Sequence, residues 1–266
     1  MLKLVIIGSG NALGEEQQNQ SAHWLEYNEG LGVLLDCGPS ILTAAQKAGV
    51  DLTLTRHLLL THLHGDHIAG IPFLLLLLKH EKAKGRTTQP LQIIGPQGTE
   101  DVVRGLVNLT YKSILEHEEL YKVMEVGPRT TTQIAEGVRL DTHAANHIPG
   151  SLWINLTFGG EEGVKLAYSG DNRFDPETQM DRMTGCSAVV HECSSLSHAE
   201  YGHTSWNDLE AILNEVMVRT KLLVLVHSDQ TVREASGERF PSNVVRAWDG
   251  STFWFNEQGK LYQMVI

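Results

Sequence analysis

Thr61-His62-Leu63-His64-Gly65-Asp66-His67 packs three imidazoles and a carboxylate into six consecutive positions, directly after the apolar run Leu58-Leu59-Leu60. Imidazole nitrogens and carboxylate oxygens suit zinc and related divalent ions. The run reads as a buried strand, and the histidine-rich segment as the loop that leaves it. This spacing lets His62 and His64 face one ion while Asp66 and His67 turn toward a second, with Gly65 allowing the bend between them. Histidine is too scarce for such a cluster to be a chance feature of a solvated loop. The segment is read as a metal site.

The elements that must position these residues repeat one pattern. Leu166-Ala167-Tyr168 leads to Ser169-Gly170-Asp171, Ala188-Val189-Val190 leads to His191-Glu192, and Leu222–Val226 leads to His227. Rigid strands that aim polar groups from one common edge are how α/β folds build a site. Asp171 alone, between Gly170 and Asn172, would read as a turn or cap residue. Its place in this series raises it to a ligand candidate.

Strand candidates also include Leu2–Ile7, Gly32–Leu35, His57–Leu60, Leu91–Ile94, Val138–Thr142, Leu152–Phe158 and Val164–Ser169, with a terminal hairpin over Thr252–Phe255 and Lys260–Met264. Ser40 is placed to cap a helix Ile41–Ala48 that stops at Gly49. Ser205 and Asp208 resemble a capping box, followed by Leu209, Ile212, Leu213 and Val216 at helical spacing. Strands with helices dispersed among them predict a layered α/β architecture. No repeat or linker divides the chain, so residues 1–266 are read as a single domain.

The chain has 266 residues, 41% hydrophobic and 20% charged, as in an ordinary soluble globular protein. A net charge of -11 argues against a surface that grips nucleic acid by its phosphates. The opening Met1–Ile7 is too short for a secretory signal and runs straight into Gly8-Ser9-Gly10. Phe73–Leu78 is too short to span a bilayer, so no membrane role is expected. Being apolar all round, that run suits either a core or a homodimer face. Cys37, Cys186 and Cys193 form no disulfide framework and no CxxC motif, which places the protein in a reducing cytoplasm.

His62-x-His64-x-Asp66-His67, Asn146-His147-Ile148-Pro149, Tyr168-Ser169-Gly170-Asp171, His191-Glu192, Gly202-His203-Thr204-Ser205 and Val226-His227-Ser228 follow one another in an order that resembles the metallo-β-lactamase superfamily. Within it the chain looks most like the tRNase Z and phosphodiesterase branch, whose glycine-rich first turn Gly8-Ser9-Gly10-Asn11-Ala12 is similar to. The resemblance implies a four-layered αββα sandwich and two divalent metal ions, zinc first, with manganese or iron able to use the same ligands. It implies that His62, His64 and His147 hold one ion, that Asp66, His67 and His227 hold the other, and that Asp171 bridges them. His147 is preferred over His143 because its neighbours match the branch pattern. Asp66, Glu192 and His203 are the catalytic candidates, Glu192 and His203 working as a pair in which His203 protonates the leaving oxygen. His23, His57, His80, His117, His191 and His198 are read as surface or packing residues.

Two departures bear on the substrate. The branch's long tRNA-gripping arm has no counterpart in the short stretch Ile148–Gly170, and the final motif reads His227-Ser228-Asp229-Gln230-Thr231 rather than His-Ser-x-Arg-Tyr. Lys79, Lys82, Lys84 and Arg86 form a basic cluster that a solvated helix end explains equally well. The expected activity is therefore a metal-dependent phosphodiesterase on a small or cyclic nucleotide-like substrate. A tRNA 3′-end endonuclease is disfavoured. A lactone, thioester or β-lactam hydrolase, or a metal-binding sensor without turnover, are the alternatives.

Overall fold

The computed structural model describes residues 1–266 apart from Glu29, Thr87, Thr88, Glu118, Glu162 and Tyr201. Fifteen strands appear among the described residues. The first six are β1 (Leu2–Gly8), β2 (Ala22–Tyr27), β3 (Leu31–Leu35), β4 (Thr55–Leu59), β5 (Leu91–Gly95) and β6 (Tyr121–Glu125). They form one sheet in the order β15-β14-β1-β2-β3-β4-β5-β6, completed by β14 (Thr252–Phe255) and β15 (Leu261–Val265). The second sheet contains β7 (Thr131–Ala135), β8 (Val138–Ala144), β9 (Leu152–Phe158), β10 (Val164–Tyr168), β11 (Ala188–Glu192), β12 (Leu223–Val226) and β13 (Val244–Arg246), in the order β13-β12-β11-β10-β9-β8-β7.

Alternation along each strand sorts side chains into three cores. In β1, Leu4 and Ile6 point between the sheets to meet Val33, Leu156, Val190, Val224 and Phe253. Val5 and Ile7 point outward to a core shared with α1 (Ile41–Lys47), the short α2 (Gly65–Ile68) and α3 (Ile71–Ala83). On the far side, Val189, Leu223 and Leu225 pack with Trp153, Trp206, Leu209 and Val216 under the other helices. Both sheets are thus buried on both faces, and the expected four-layered α/β sandwich results.

Strands β3 to β6 run parallel, as do β10 to β13. Their carboxyl ends supply the residues that carry chemistry, at the edge where such folds place sites.

The strands expected from sequence appear with ends shifted by at most two residues. β2, β6, β7 and β13 were missed. β2 buries His23, a polar residue that broke the apolar pattern, while β6 and β7 are sheet edges with exposed polar positions, and β13 has only three residues. Ser40 precedes α1 without capping it, because its hydroxyl donates to Gln20 Oε1 at 3.2 Å. The Ser205–Asp208 capping box is present, but the helix it opens ends at Glu210 and a second begins at Leu213. Ile212, at φ -119°, breaks the ladder between them. Phe73–Leu78 lies inside α3, which begins with Pro72 in its first turn, where no hydrogen bond is lost. Among the described residues no helix is long and apolar enough to cross a membrane.

Candidate metal centre

β4 delivers the histidine cluster. The chain bends at Thr61 after the strand, and Asp66 and His67 sit in the short helix Gly65–Ile68. His147 comes from the loop between β8 and β9, Asp171 follows β10, and His227 follows β12. Gly170 takes φ 54°, and a Cβ there would lie 2.6 Å from Thr61 Cβ, so the backbone of the Asp171 turn packs against the His62 loop only because the residue is glycine.

Two cradles result. In one, His64 Nδ1 lies 3.1 Å from both His62 Nε2 and His147 Nε2. Asp171 Oδ2 stands 3.7 Å from His62 Nε2 and 3.8 Å from His147 Nε2. In the other, Asp66 Oδ2 is 3.2 Å from His67 Nε2 and 3.3 Å from His227 Nε2, and Asp171 Oδ1 is 3.3 and 3.4 Å from the same nitrogens. Asp171 thus offers one oxygen to each cradle. Ligands held tetrahedrally at about 2.1 Å from an ion are themselves about 3.4 Å apart, so this spacing fits a bound metal.

Hydrogen bonding fixes which nitrogens face inward. His147 Nδ1 donates to Gly202 O at 3.3 Å, and His62 Nδ1 to Thr61 Oγ1 at 3.1 Å. His67 Nδ1 donates to Asp36 Oδ2 at 2.8 Å. Each ring therefore turns its Nε2 into its cradle. Imidazole nitrogens and carboxylate oxygens converging at these distances are a donor set that suits a cation. His67 Nε2 and Asp171 Oδ1 are buried and without hydrogen-bond partners, as ligand atoms would be.

The local field has the same sign. Burial opposes charge on His67, yet Asp171 and Asp36 hold its pKa well above the ordinary histidine value. Burial also opposes charge on Asp171, and His227 and His67 nevertheless hold it well below the carboxylate range. The second cradle favours positive charge. His62 is pushed down to about 2 by burial and by neighbouring His67.

Beside the cradles, Glu192 Oε1 accepts hydrogen bonds from His203 Nδ1 and from Asn172 N, each at 2.8 Å. The His203 ring lies 4.8 Å from that of His147 and stacks on His227 at 5.4 Å, so it borders both cradles. Burial tends to lower the His203 pKa, but the hydrogen bond and charge of Glu192 raise it. Burial raises Glu192 in turn.

All nine site residues expected from sequence meet at this edge: His62, His64, Asp66, His67, His147, Asp171, Glu192, His203 and His227. His143 points elsewhere, paired across the strands with Trp153. His191 is buried between Trp153 and Phe174.

Two residues of the site were not anticipated. Asp36 is wholly buried and accepts from His67 Nδ1, Tyr168 OH, Thr61 Oγ1 and Thr61 N, all at 2.8 Å. Val33-Leu34-Leu35 runs into Asp36 as other apolar strands run into ligands, but a lone aspartate there reads equally as a turn residue. Asn172 holds two loops together: its Oδ1 accepts from Asn146 N at 2.9 Å, beside His147, while its own N binds Glu192.

Residues 2–249 match a family described as Anti-Pycsar protein Apyc1. The Anti-Pycsar protein Apyc1 of Paenibacillus xerothermodurans is 25% identical over 89% of this chain and 92% of its own. The ribonuclease Z of Ignicoccus hospitalis is 27% identical over 85% of this chain and 87% of its own. Among solved structures, the metallo-β-lactamase fold protein YhfI from Bacillus subtilis superposes with a TM-score of 0.75 at 17% identity, covering 94% of this chain and 98% of that one. Fold, cradles and family match point one way: the chain belongs to the Anti-Pycsar protein Apyc1 family and is a metal-dependent hydrolase of metallo-β-lactamase fold.

Proposed function

We propose that the protein is a dinuclear phosphodiesterase acting on a small or cyclic nucleotide-like diester. His62, His64 and His147 would hold one ion and Asp66, His67 and His227 a second, with Asp171 placed to offer an oxygen to each. Zinc is the first choice, with manganese or iron suited to the same ligands. Ions bound there would supply an activated water at neutral pH and draw charge from the phosphoryl oxygens.

The observation that carries the reading is the His203–Glu192 pair at 2.8 Å on the border of the cradles. With Nδ1 held by Glu192, His203 has Nε2 free to carry a proton to the leaving oxygen. An alkoxide expelled from phosphorus needs that proton, whereas a thiolate expelled from a thioester does not. The short connection from β9 to β10 and the net charge of -11 favour a small substrate over tRNA. The ribonuclease Z among the relatives keeps RNA as the second reading. We further assign residues 1–266 to a single domain working in the cytoplasm, with Phe73 and Leu76, exposed on α3, as a homodimer face.

The test is hydrolysis of bis(p-nitrophenyl) phosphate and of a cyclic nucleotide by zinc- and manganese-loaded protein, with His203→Ala beside wild type. Metal-dependent turnover is expected, falling by about two to four orders of magnitude in the variant on the cyclic nucleotide. Fully loaded protein that cleaves no diester would end this reading and turn attention to acyl substrates.

A further inference from the structure

We infer that Trp248 is a stacking platform for the nucleobase of the substrate, an assignment that rests on the phosphodiesterase reading above. Strand β13 runs parallel to β12 in the register Leu223↔Val244, Val224↔Val245 and Leu225↔Arg246. Ala247 N extends the pairing by donating to Leu225 O at 3.0 Å. His227 directly follows the end of β12, and Trp248 lies two residues past the end of β13. A metal-cradle histidine and an indole thus leave adjacent strands at the same carboxyl edge, where α/β folds bind ligands.

Trp24, Trp153 and Trp206 are at most 1% exposed, whereas Trp248 is 39% exposed. Its mounting is nevertheless rigid. Trp248 N donates to Ser251 Oγ at 2.8 Å. The adjoining Asp249 carboxylate accepts from Ser9 N and Ser9 Oγ, each at 2.9 Å, and from Asn19 N at 2.8 Å. The Arg233 guanidinium lies 4.9 Å from the indole centroid. Arg233 is itself buried and donates to Ser9 O at 2.8 Å and to Ser228 O and Ala247 O at 3.3 Å. The cation that backs the indole therefore also holds the residue next to His227.

An aromatic side chain backed by a buried guanidinium, held at both neighbouring residues and open to water has already lost most of the freedom that binding would remove. Flat π-faced ligands gain most from such a surface, and nucleobases stack on aromatic side chains whatever their sequence. Arg233 adds its charge to the stack. The ligand class is a phosphodiester that carries at least one nucleoside, its phosphate at the cradles and its base turned outward past His227.

The experiment compares thymidine 5′-(p-nitrophenyl) phosphate with methyl p-nitrophenyl phosphate on the zinc-loaded chain, two diesters that share a leaving group and differ by the nucleoside. In Trp248→Ala the ratio of kcat/KM between them should fall about 10- to 100-fold, chiefly through KM, and Trp248→Phe should restore most of it. An unchanged ratio, or equal losses on both diesters with loss of bound zinc, would overturn the assignment and leave Trp248 a packing residue. If wild type cleaves neither diester, the phosphodiesterase reading falls by itself. Thymidine 5′-monophosphate then decides the platform: quenching of wild-type fluorescence that is absent in Trp248→Phe supports it, and no such difference refutes it.

Discussion

Asp36 Oδ2 accepts a hydrogen bond from His67 Nδ1 at 2.8 Å, between two side chains with no measurable exposure. The same carboxylate gathers Tyr168 OH from the second sheet and Thr61 from the histidine loop, so one buried anion fixes the position of the second cradle. Asp36 holds this place at φ 56°, in the left-handed region, and its own N donates to Leu59 O at 2.9 Å. An imidazole that donates to a carboxylate through Nδ1 is a stronger electron donor at Nε2 and cannot rotate away. Asp36→Asn keeps the size but offers one acceptor oxygen where two are used. We predict a metal affinity about 10 to 100 times weaker, measured by competition with a chelator, with a smaller change for Asp36→Glu only if the longer chain is accommodated.

The Glu192–His203 pair predicts a dependence on leaving group. Glu192→Gln can still accept from His203 Nδ1 through its amide oxygen but removes the charge that raises the His203 pKa against burial. Diesters with alkoxide leaving groups should lose about 10- to 100-fold in kcat, while p-nitrophenyl esters, whose leaving group needs little protonation, should lose far less. Equal losses on both substrate types would make the pair a structural one.

Gly170 predicts a stability effect separable from chemistry. A Cβ at this position meets Thr61 Cβ at 2.6 Å and Thr61 Oγ1 at 2.8 Å, and φ 54° is costly for any residue with a side chain. Gly170→Ala should destabilise the metal-free protein by about 3 kcal/mol, read from urea midpoints at unchanged slope. A loss below about 1 kcal/mol would show that the Thr61 loop yields easily.

The metal-ligand candidates were legible because histidine and aspartate at the ends of apolar strands are a chemical signal that needs no coordinates. Both sheets were largely legible for the same reason: Leu152–Phe158 and Ala188–Val190 are too apolar for anything but a buried strand. Asp36 was not, since a single aspartate after a strand is also a common turn residue, and its role appears only when Thr61, His67 and Tyr168 converge on it from three places in the chain. Strand β2 escaped for a related reason. His23 is wholly buried against Tyr168, at a ring distance of 4.9 Å, and a buried polar residue looks in sequence like an interruption. Nothing local marked the break at Ile212, because Leu209 and Val216 keep helical spacing across it.

His191 gives the fold a dependence on pH that does not pass through the cradles. It is buried against Trp153 and Phe174, its Nδ1 donating to Glu192 O at 2.6 Å, and burial pushes its pKa down to about 4. An unfolded histidine titrates near pH 6.5, so between the two values the unfolded chain holds a proton that the folded chain refuses. Stability therefore rises with pH through this window: the contribution is complete above about 6.5 and is lost progressively as pH falls toward about 4. At pH 5 the loss attributable to this one group is about 2 kcal/mol. Asn places an amide nitrogen where Nδ1 stood and has nothing to titrate, so His191→Asn should flatten the curve. With chelator present to remove metal linkage, the drop in urea midpoint between pH 7.5 and pH 5.0 should be larger in wild type than in His191→Asn. Parallel curves for the two proteins would mean that His191 accepts a proton without opening the core, and acid sensitivity would then be assigned to His57, also pushed down to about 4 by burial and by Arg56.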